Sequence, residues 1–379
     1  MSDEPRPFGV YIHIPFCRSR CPYCDFVSQA IPDAPPDAFV RALVEEIRAF
    51  EGPRKSTSVF LGGGTPSLLT ATQLETILEA IRSGMSLEGA EITLEANPDD
   101  VTSERARAWG ALGINRISLG VQSFDDQVLQ YLGRRHDADR ASQAAAIIAG
   151  EFRNWNMDLI FGAAPLGIWE ATLQKALLLE PPHIAVYGLT YEPDTPFGAR
   201  AAEGLDDDDM LQCYQLAEQA LAVYEHYEIS NYARPGFQCR HNLLYWHNNE
   251  YAGFGPGAYA YGAGKRMRNT VSLQAYLHNP GHKVSVEVMT MREQAVETLI
   301  QHFRLRTGIR DADFRQRFGV SLNTWFRVPL EMLQKRGLLC RDGDRWYPSQ
   351  KGFYLNNEIG LALVDTCCET TTQTNGPGQ

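Results

Sequence analysis

No uninterrupted apolar run in the chain approaches the roughly 18 residues that a membrane span requires. The opening Met-Ser-Asp-Glu-Pro-Arg-Pro has no apolar core of the export-signal type, so the cytoplasm is the expected compartment. There is no surplus of positive charge either. The 35 Lys and Arg stand against 46 Asp and Glu, a formal net charge of −11, and phosphate binding runs on Lys and Arg, so nucleic acid is not an expected partner. The eight cysteines are scattered through a large chain and suggest reduced thiols rather than a disulfide framework. No internal repeat stands out beyond an alternation of strand-like and helix-like segments.

What is present is enough chain, 379 residues, for one large domain and a small one, at 44% hydrophobic and 21% charged residues. Short apolar runs end at Ile14, Leu61, Asn97, Gln122, Gly162 and Leu189, and helix-like segments separate them. This rhythm predicts an α/β fold, a partial (β/α)6 barrel with ligands gathered at the C-terminal ends of its strands. Phe39, Leu43 and Ile47 mark an amphipathic helix, and Thr70-Ala-Thr-Gln73 reads as a capping box with Gly84 closing its helix. Asp206–Asp209 suits the positive start of a helix better than a calcium site. Gly253–Tyr259 is expected to close the barrel region. The expected domains are 1–280 for the barrel and 281–365 for a small helical, winged-helix-like unit, with 366–379 a disordered tail.

The chain is arranged around Tyr11-Ile-His-Ile-Pro-Phe-Cys17-Arg-Ser-Arg-Cys21-Pro-Tyr-Cys24-Asp-Phe26. Three cysteines within eight residues suit a metal centre. Structural zinc takes four ligands, usually as two close pairs, and no matching second pair follows. An iron–sulfur cubane normally takes four thiolates, so three would leave one iron open. Pro22 disfavours a helix through the loop and lets it wrap around a cluster. Gly63 and Gly64, with Thr65, allow close backbone approach to a ligand or simply make a tight turn. Asp158, inside an otherwise apolar strand, needs a partner if buried.

Cys17-xxx-Cys21-xx-Cys24 with Tyr23 before the last cysteine resembles the cluster loop of radical S-adenosylmethionine (SAM) enzymes. The words around it resemble the branch that holds oxygen-independent coproporphyrinogen III oxidase and the HemW heme chaperones. The resemblance runs from about Gly9 to Ala362. It implies a [4Fe–4S] cluster on Cys17, Cys21 and Cys24, with SAM chelating the open iron and reductively cleaved to a deoxyadenosyl radical. It also implies SAM contacts at Tyr11, Tyr23, Gly63, Gly64, Thr65, Glu95, Gln122, Arg134, Asp158, Gly188 and Tyr259, with Arg135 an alternative to Arg134. No residue is assigned as catalytic. The oxidase has a fourth cysteine where this chain has Phe26, and a long N-terminal extension where sixteen residues precede Cys17 here.

His241-Asn242-Leu-Leu-Tyr245-Trp246 resembles the heme-associated element of the chaperones. It implies heme contacts at His241, Asn242, Tyr245 and Trp246, the residue reading alone allowing equally a turn before a core aromatic pair. Cys239, two residues before His241, offers a second iron or vinyl contact, and reads better as a buried structural thiol. Three departures fall after Gly162, where Ala163-Ala164-Pro165 replaces the usual turn, at Gly257-Ala258-Tyr259, and in the helix around Leu299-Ile300-Gln301-His302-Phe303. The expected function is a heme chaperone binding cluster, SAM and heme. Its expected partners are a heme acceptor protein, which can be membrane-associated, and an electron donor to the cluster. The alternative is a coproporphyrinogen III dehydrogenase.

Overall fold

The computed structural model describes residues 6–371. Six parallel strands form its centre: β1 Gly9–Ile14, β2 Ser58–Gly63, β3 Glu91–Ala96, β4 Arg116–Gln122, β5 Trp155–Phe161 and β6 His183–Gly188. They are neighbours in sequence order, joined by α1 Asp37–Arg48, α2 Ala71–Gly84, α3 Ser103–Ala111, α4 Asp126–Tyr131, α5 Ala138–Glu151 and α6 Leu166–Leu178. Helices follow strands because the periodicity switches from two to three or four. Phe39, Leu43 and Ile47 of α1 are all buried, and Thr70 and Gln73 make the reciprocal capping box of α2. Gly84 is the last residue of that helix, and Met85, in an extended conformation, takes the C-cap.

The chain then adds α7 Asp207–Ala220, β7 Glu225–Glu228, β8 Asn231–Ala233, α8 Arg240–Trp246, β9 Tyr251–Phe254, β10 Tyr259–Gly262, β11 Lys265–Asn269, α9 Leu273–His278 and β12 Lys283–Val288. Asp206 caps α7 by accepting from Asp209 N, with three further Asp in the first turn, as the macrodipole favours. The sheet has twelve strands in the order β12-β11-β10-β9-β1-β2-β3-β4-β5-β6-β8-β7. The segment expected to close the barrel instead supplies β9, which pairs parallel with the free side of β1, and the curve stays open. β12 still belongs to this sheet, so the large domain runs to Val288 and past the boundary expected at 280.

A second unit follows: α10 Met291–His302, β13 Ile309–Arg310, α11 Asp311–Phe318, α12 Leu322–Lys335, β14 Leu339–Asp342, β15 Arg345–Pro348, α13 Gln350–Tyr354 and α14 Asn356–Thr371. Its small sheet, β13-β15-β14, and helices have the winged-helix order and enclose a separate apolar core around Leu299, Phe314, Phe326 and Trp346. α14 continues to Thr371, beyond the expected start of a tail at 366; residues 372–379 lie outside the described residues. Among the described residues no helix is long and apolar enough to cross a membrane.

Strands β4 and β5 show why the barrel has a polar inside. Ile117, Leu119, Met157 and Leu159 pack in the apolar layer under the helices. The alternating Arg116, Ser118 and Gly120, with Asn156, Asp158 and Ile160, line an internal cavity of about 660 Å3.

Candidate functional site: a cysteine-rimmed cavity

Cys17 stands at the end of a short ladder in which Phe16–Cys17 pairs parallel with Gln29–Ala30. This ladder pins the two ends of the cysteine loop together. A second tie begins inside the barrel, where Tyr11 OH donates to His13 Nδ1 at 3.1 Å. His13 Nε2 donates to Val27 O at 2.7 Å. The loop's far side rests on Gly133, where a Cβ would come within 2.5 Å of Pro22 Cδ, and on Phe197, whose N–H donates to Pro22 O. Pro22 therefore turns the loop as its residue type suggests.

The three cysteines are free thiols and line the same cavity. Burial pushes the Cys17 thiol up and the Cys24 thiol up to about 11. Among the described residues no group of His, Cys, Asp or Glu is arranged to hold a metal ion. A single tetrahedral ion needs convergent ligands, whereas a cubane needs thiolates spread across its corners and space between them. The donor set, all sulfur and three in number on one loop above a large cavity, fits a cluster with one free corner.

Below the loop the expected SAM residues converge. Tyr23, Gly63, Gly64, Thr65, Glu95, Gln122, Arg134, Asp158 and Gly188 all line the cavity. The glycine run lets the end of β2 press against the chain: a Cβ at Gly63, whose φ is +106°, would meet the His13 ring at 2.5 Å. Gln122 takes a φ of +69° at a register shift between β4 and β5, a strained backbone of the kind that gathers at functional sites. Arg134 Nη2 donates to Asn97 Oδ1 at 2.5 Å and to Gly120 O at 2.9 Å, and Nη1 approaches Cys21 Sγ at 3.7 Å. Its Nε is buried without a hydrogen-bond partner among the described residues. Arg135 instead pairs loosely with Asp99 at 3.9 Å, half exposed, so Arg134 is the arginine that faces the cavity.

Asp158 has the partners that its burial demanded. Ser118 Oγ donates to Oδ2 at 3.1 Å and Asn156 Nδ2 to Oδ1 at 2.6 Å, yet burial still raises its pKa. Glu95 accepts from Gly63 N at 3.1 Å. Burial, with the negative charge of Asp158 nearby, pushes its carboxyl up to about 8. Asn97, Arg116, Ser118, Asn156 and Tyr187 line the cavity as well, and no sequence expectation included them. The available signal was strict alternation of polar with apolar residues along β4 and β5.

Five expected contacts lie off the cavity lining. Tyr11 stacks on Phe60 at 6.3 Å and donates to His13. Tyr259 is 43% exposed on β10, with the Arg268 guanidinium over its ring. His241 is 1% exposed, with Nδ1 bonded to Ser58 Oγ at 2.8 Å and Nε2 to Tyr245 OH at 2.9 Å. Burial, with the Arg116 charge nearby, holds its pKa down to about 3. Both ring nitrogens are thus engaged at the foot of β2, and the ring presents no free lone pair to a heme iron. Tyr245 packs with it, and Trp246 lies beneath the Arg304 guanidinium at 4.5 Å. Of the heme-associated element only Asn242 reaches the cavity. Cys239 is fully buried with its thiol pushed up to about 12 by burial, the inert thiol expected.

This fold and thiol-rimmed cavity define a radical SAM protein. The Radical SAM superfamily model matches residues 11–164, and the HemN C-terminal domain model matches residues 289–355, starting just after β12. The solved coproporphyrinogen III oxidase (HemN) of Escherichia coli superposes with a TM-score of 0.83 over 94% of this chain and 90% of that one at 21% identity, a likeness of fold. Among curated relatives, the heme chaperone HemW of Escherichia coli K12 is 36% identical over 95% of this chain and 99% of its own. HemW of Synechocystis sp. PCC 6803 is 38% identical over 96% and 91%. The bovine mitochondrial radical S-adenosyl methionine domain-containing protein 1 is 33% identical over 96% and 89%. The chain belongs to the HemW heme chaperone family.

Proposed function

We propose that this protein is a heme chaperone that binds a [4Fe–4S] cluster, SAM and heme, and passes heme to an acceptor protein in the cytoplasm, with a separate donor reducing the cluster. The observation that carries the reading is the convergence of three free thiols and nine expected SAM positions on one cavity, in a chain 36% identical to a curated heme chaperone over nearly its whole length. Cys17, Cys21 and Cys24 would hold the cluster, which when bound would supply the electron for reductive cleavage of SAM. Arg134 offers a guanidinium fork to the methionine carboxylate, and Glu95 faces the nucleoside or ammonium side.

Heme binds without His241 as its axial ligand, because that imidazole is spent on Ser58 and Tyr245. The test is anaerobic reconstitution with iron and sulfide counting, followed by hemin titration and transfer to apomyoglobin. Saturable hemin binding and transfer are expected, with the same hemin spectrum in His241→Ala. Protoporphyrinogen formation from coproporphyrinogen by the reconstituted protein would instead establish the dehydrogenase reading.

A further inference from the structure

The lining of the cavity runs from the C-terminal strand ends, where the expected SAM positions gather, down to Arg116, the first residue of β4, and this lower part has its own chemistry. Arg116 is 2% exposed. Its Nε has no hydrogen-bond partner among the described residues. A guanidinium shut away from water needs an anion or a full set of acceptors. Cys239 and the carboxylate of Glu91 act on it electrostatically, but the Glu91 Oε1 is taken by the backbone N–H groups of Arg240 and His241 at 2.9 and 3.3 Å. Asp158 is bonded to Ser118 and Asn156. Phe60 stands level with Arg116 through the strand register, Phe60 opposite Thr93 and Thr93 opposite Arg116, and the amides Asn156 and Asn242 and the Tyr187 ring line the same cavity.

We propose that this lower part of the cavity is a second ligand subsite, in which Arg116 takes the carboxylate of an amphipathic organic acid while Phe60 and Tyr187 flank its apolar body. The planar fork matches a carboxylate through two parallel N–H···O bonds, and the neighbouring amides can complete the acid's hydrogen bonding. Occupation of this subsite requires neither heme nor a bound cluster. A failure of heme delivery and a failure of this subsite are therefore separate results.

The test is calorimetric titration of the full chain, as purified and at constant ionic strength, with benzoate and its neutral isostere benzamide. Saturable binding of benzoate but not benzamide is expected. Arg116→Gln is expected to weaken benzoate roughly 10- to 100-fold, the range that charge-assisted bonds carry. Arg116→Lys, which keeps the charge but loses the fork, falls between. Arg135→Gln, at a half-exposed position off the cavity lining, leaves benzoate binding in place. Asn242→Phe, which fills the cavity from α8 with Arg116 intact, abolishes it, so the result does not depend on Arg116→Gln folding well. Equal binding of benzoate and benzamide, benzoate binding undiminished by both Arg116→Gln and Asn242→Phe, or loss in Arg135→Gln rather than in Arg116→Gln would overturn the proposal.

Discussion

Arg134 and Arg135 are adjacent in sequence and identical in type, yet only Arg134 is buried against Cys21, Asn97 and Gly120. Arg134→Gln is expected to weaken SAM binding roughly 10- to 100-fold by equilibrium dialysis, since a charge-assisted fork is lost. Arg135→Gln is expected to change nothing measurable. Glu95 gives a pH signature. Its carboxyl, ordinarily near 4.5, is pushed up to about 8, so between those values the folded protein holds a proton that the unfolded chain has released. Stability therefore falls as pH rises through this window. Glu228, pushed up to about 7 by burial, acts in the same direction. His241, His302 and His136, held down to about 3, 4 and 4 by burial, must take up protons on unfolding below pH 6.5, which destabilises the acid side. Urea midpoints should peak in the slightly acid range, and Glu95→Gln should flatten the loss between pH 6.5 and 8.5. The cysteines, the glycine run and Asp158 were legible because their residue types are costly anywhere else. Arg116 and Asn97 were not, because an Arg or Asn near a strand end is ordinary until the barrel turns it inward.

At the scale of single elements, the end of β2 is held by conformation more than by contacts. Gly63→Ala would place a methyl within 2.5 Å of the His13 ring at a φ of +106°. A cost of about 1–3 kcal/mol for the backbone alone is expected, read as a lowered thermal midpoint. His13 also ties down Val27, so reconstituted iron content should fall with it. α8 shows the opposite relation between sequence and outcome. Its His-Asn-x-x-Tyr-Trp pattern suggested a ligand-binding element, but as a helix it turns His241 and Tyr245 into the barrel foot and leaves only Asn242 on the cavity. Residues four apart on a helix share a face, and here that face is inward.

The two domains meet around Glu218 of α7, which accepts from Arg306, Gln350 and Tyr354 at 2.6 to 2.9 Å. Burial alone would raise its pKa. Hydrogen bonds from His226, Tyr354 and Gln350 outweigh that and bring it down to about 2. Its contribution is therefore fully present above about 4.5 and lost as pH falls towards 2. Glu218→Ala should lower the thermal midpoint of the whole chain at pH 7, by an amount matching about 1–3 kcal/mol. The difference from the parent protein should shrink progressively below pH 4.

The sequence by itself determined the six βα repeats, the winged-helix-like unit and the three-cysteine loop, because hydrophobic period, caps and costly residue types are local properties of the chain. Only the tertiary structure decided that β9 extends the sheet instead of closing it, that Arg134 rather than Arg135 faces the cavity, and that His241 is spent on Ser58. Those outcomes depend on which face of each element meets a partner far away in sequence, and no local pattern encodes that meeting.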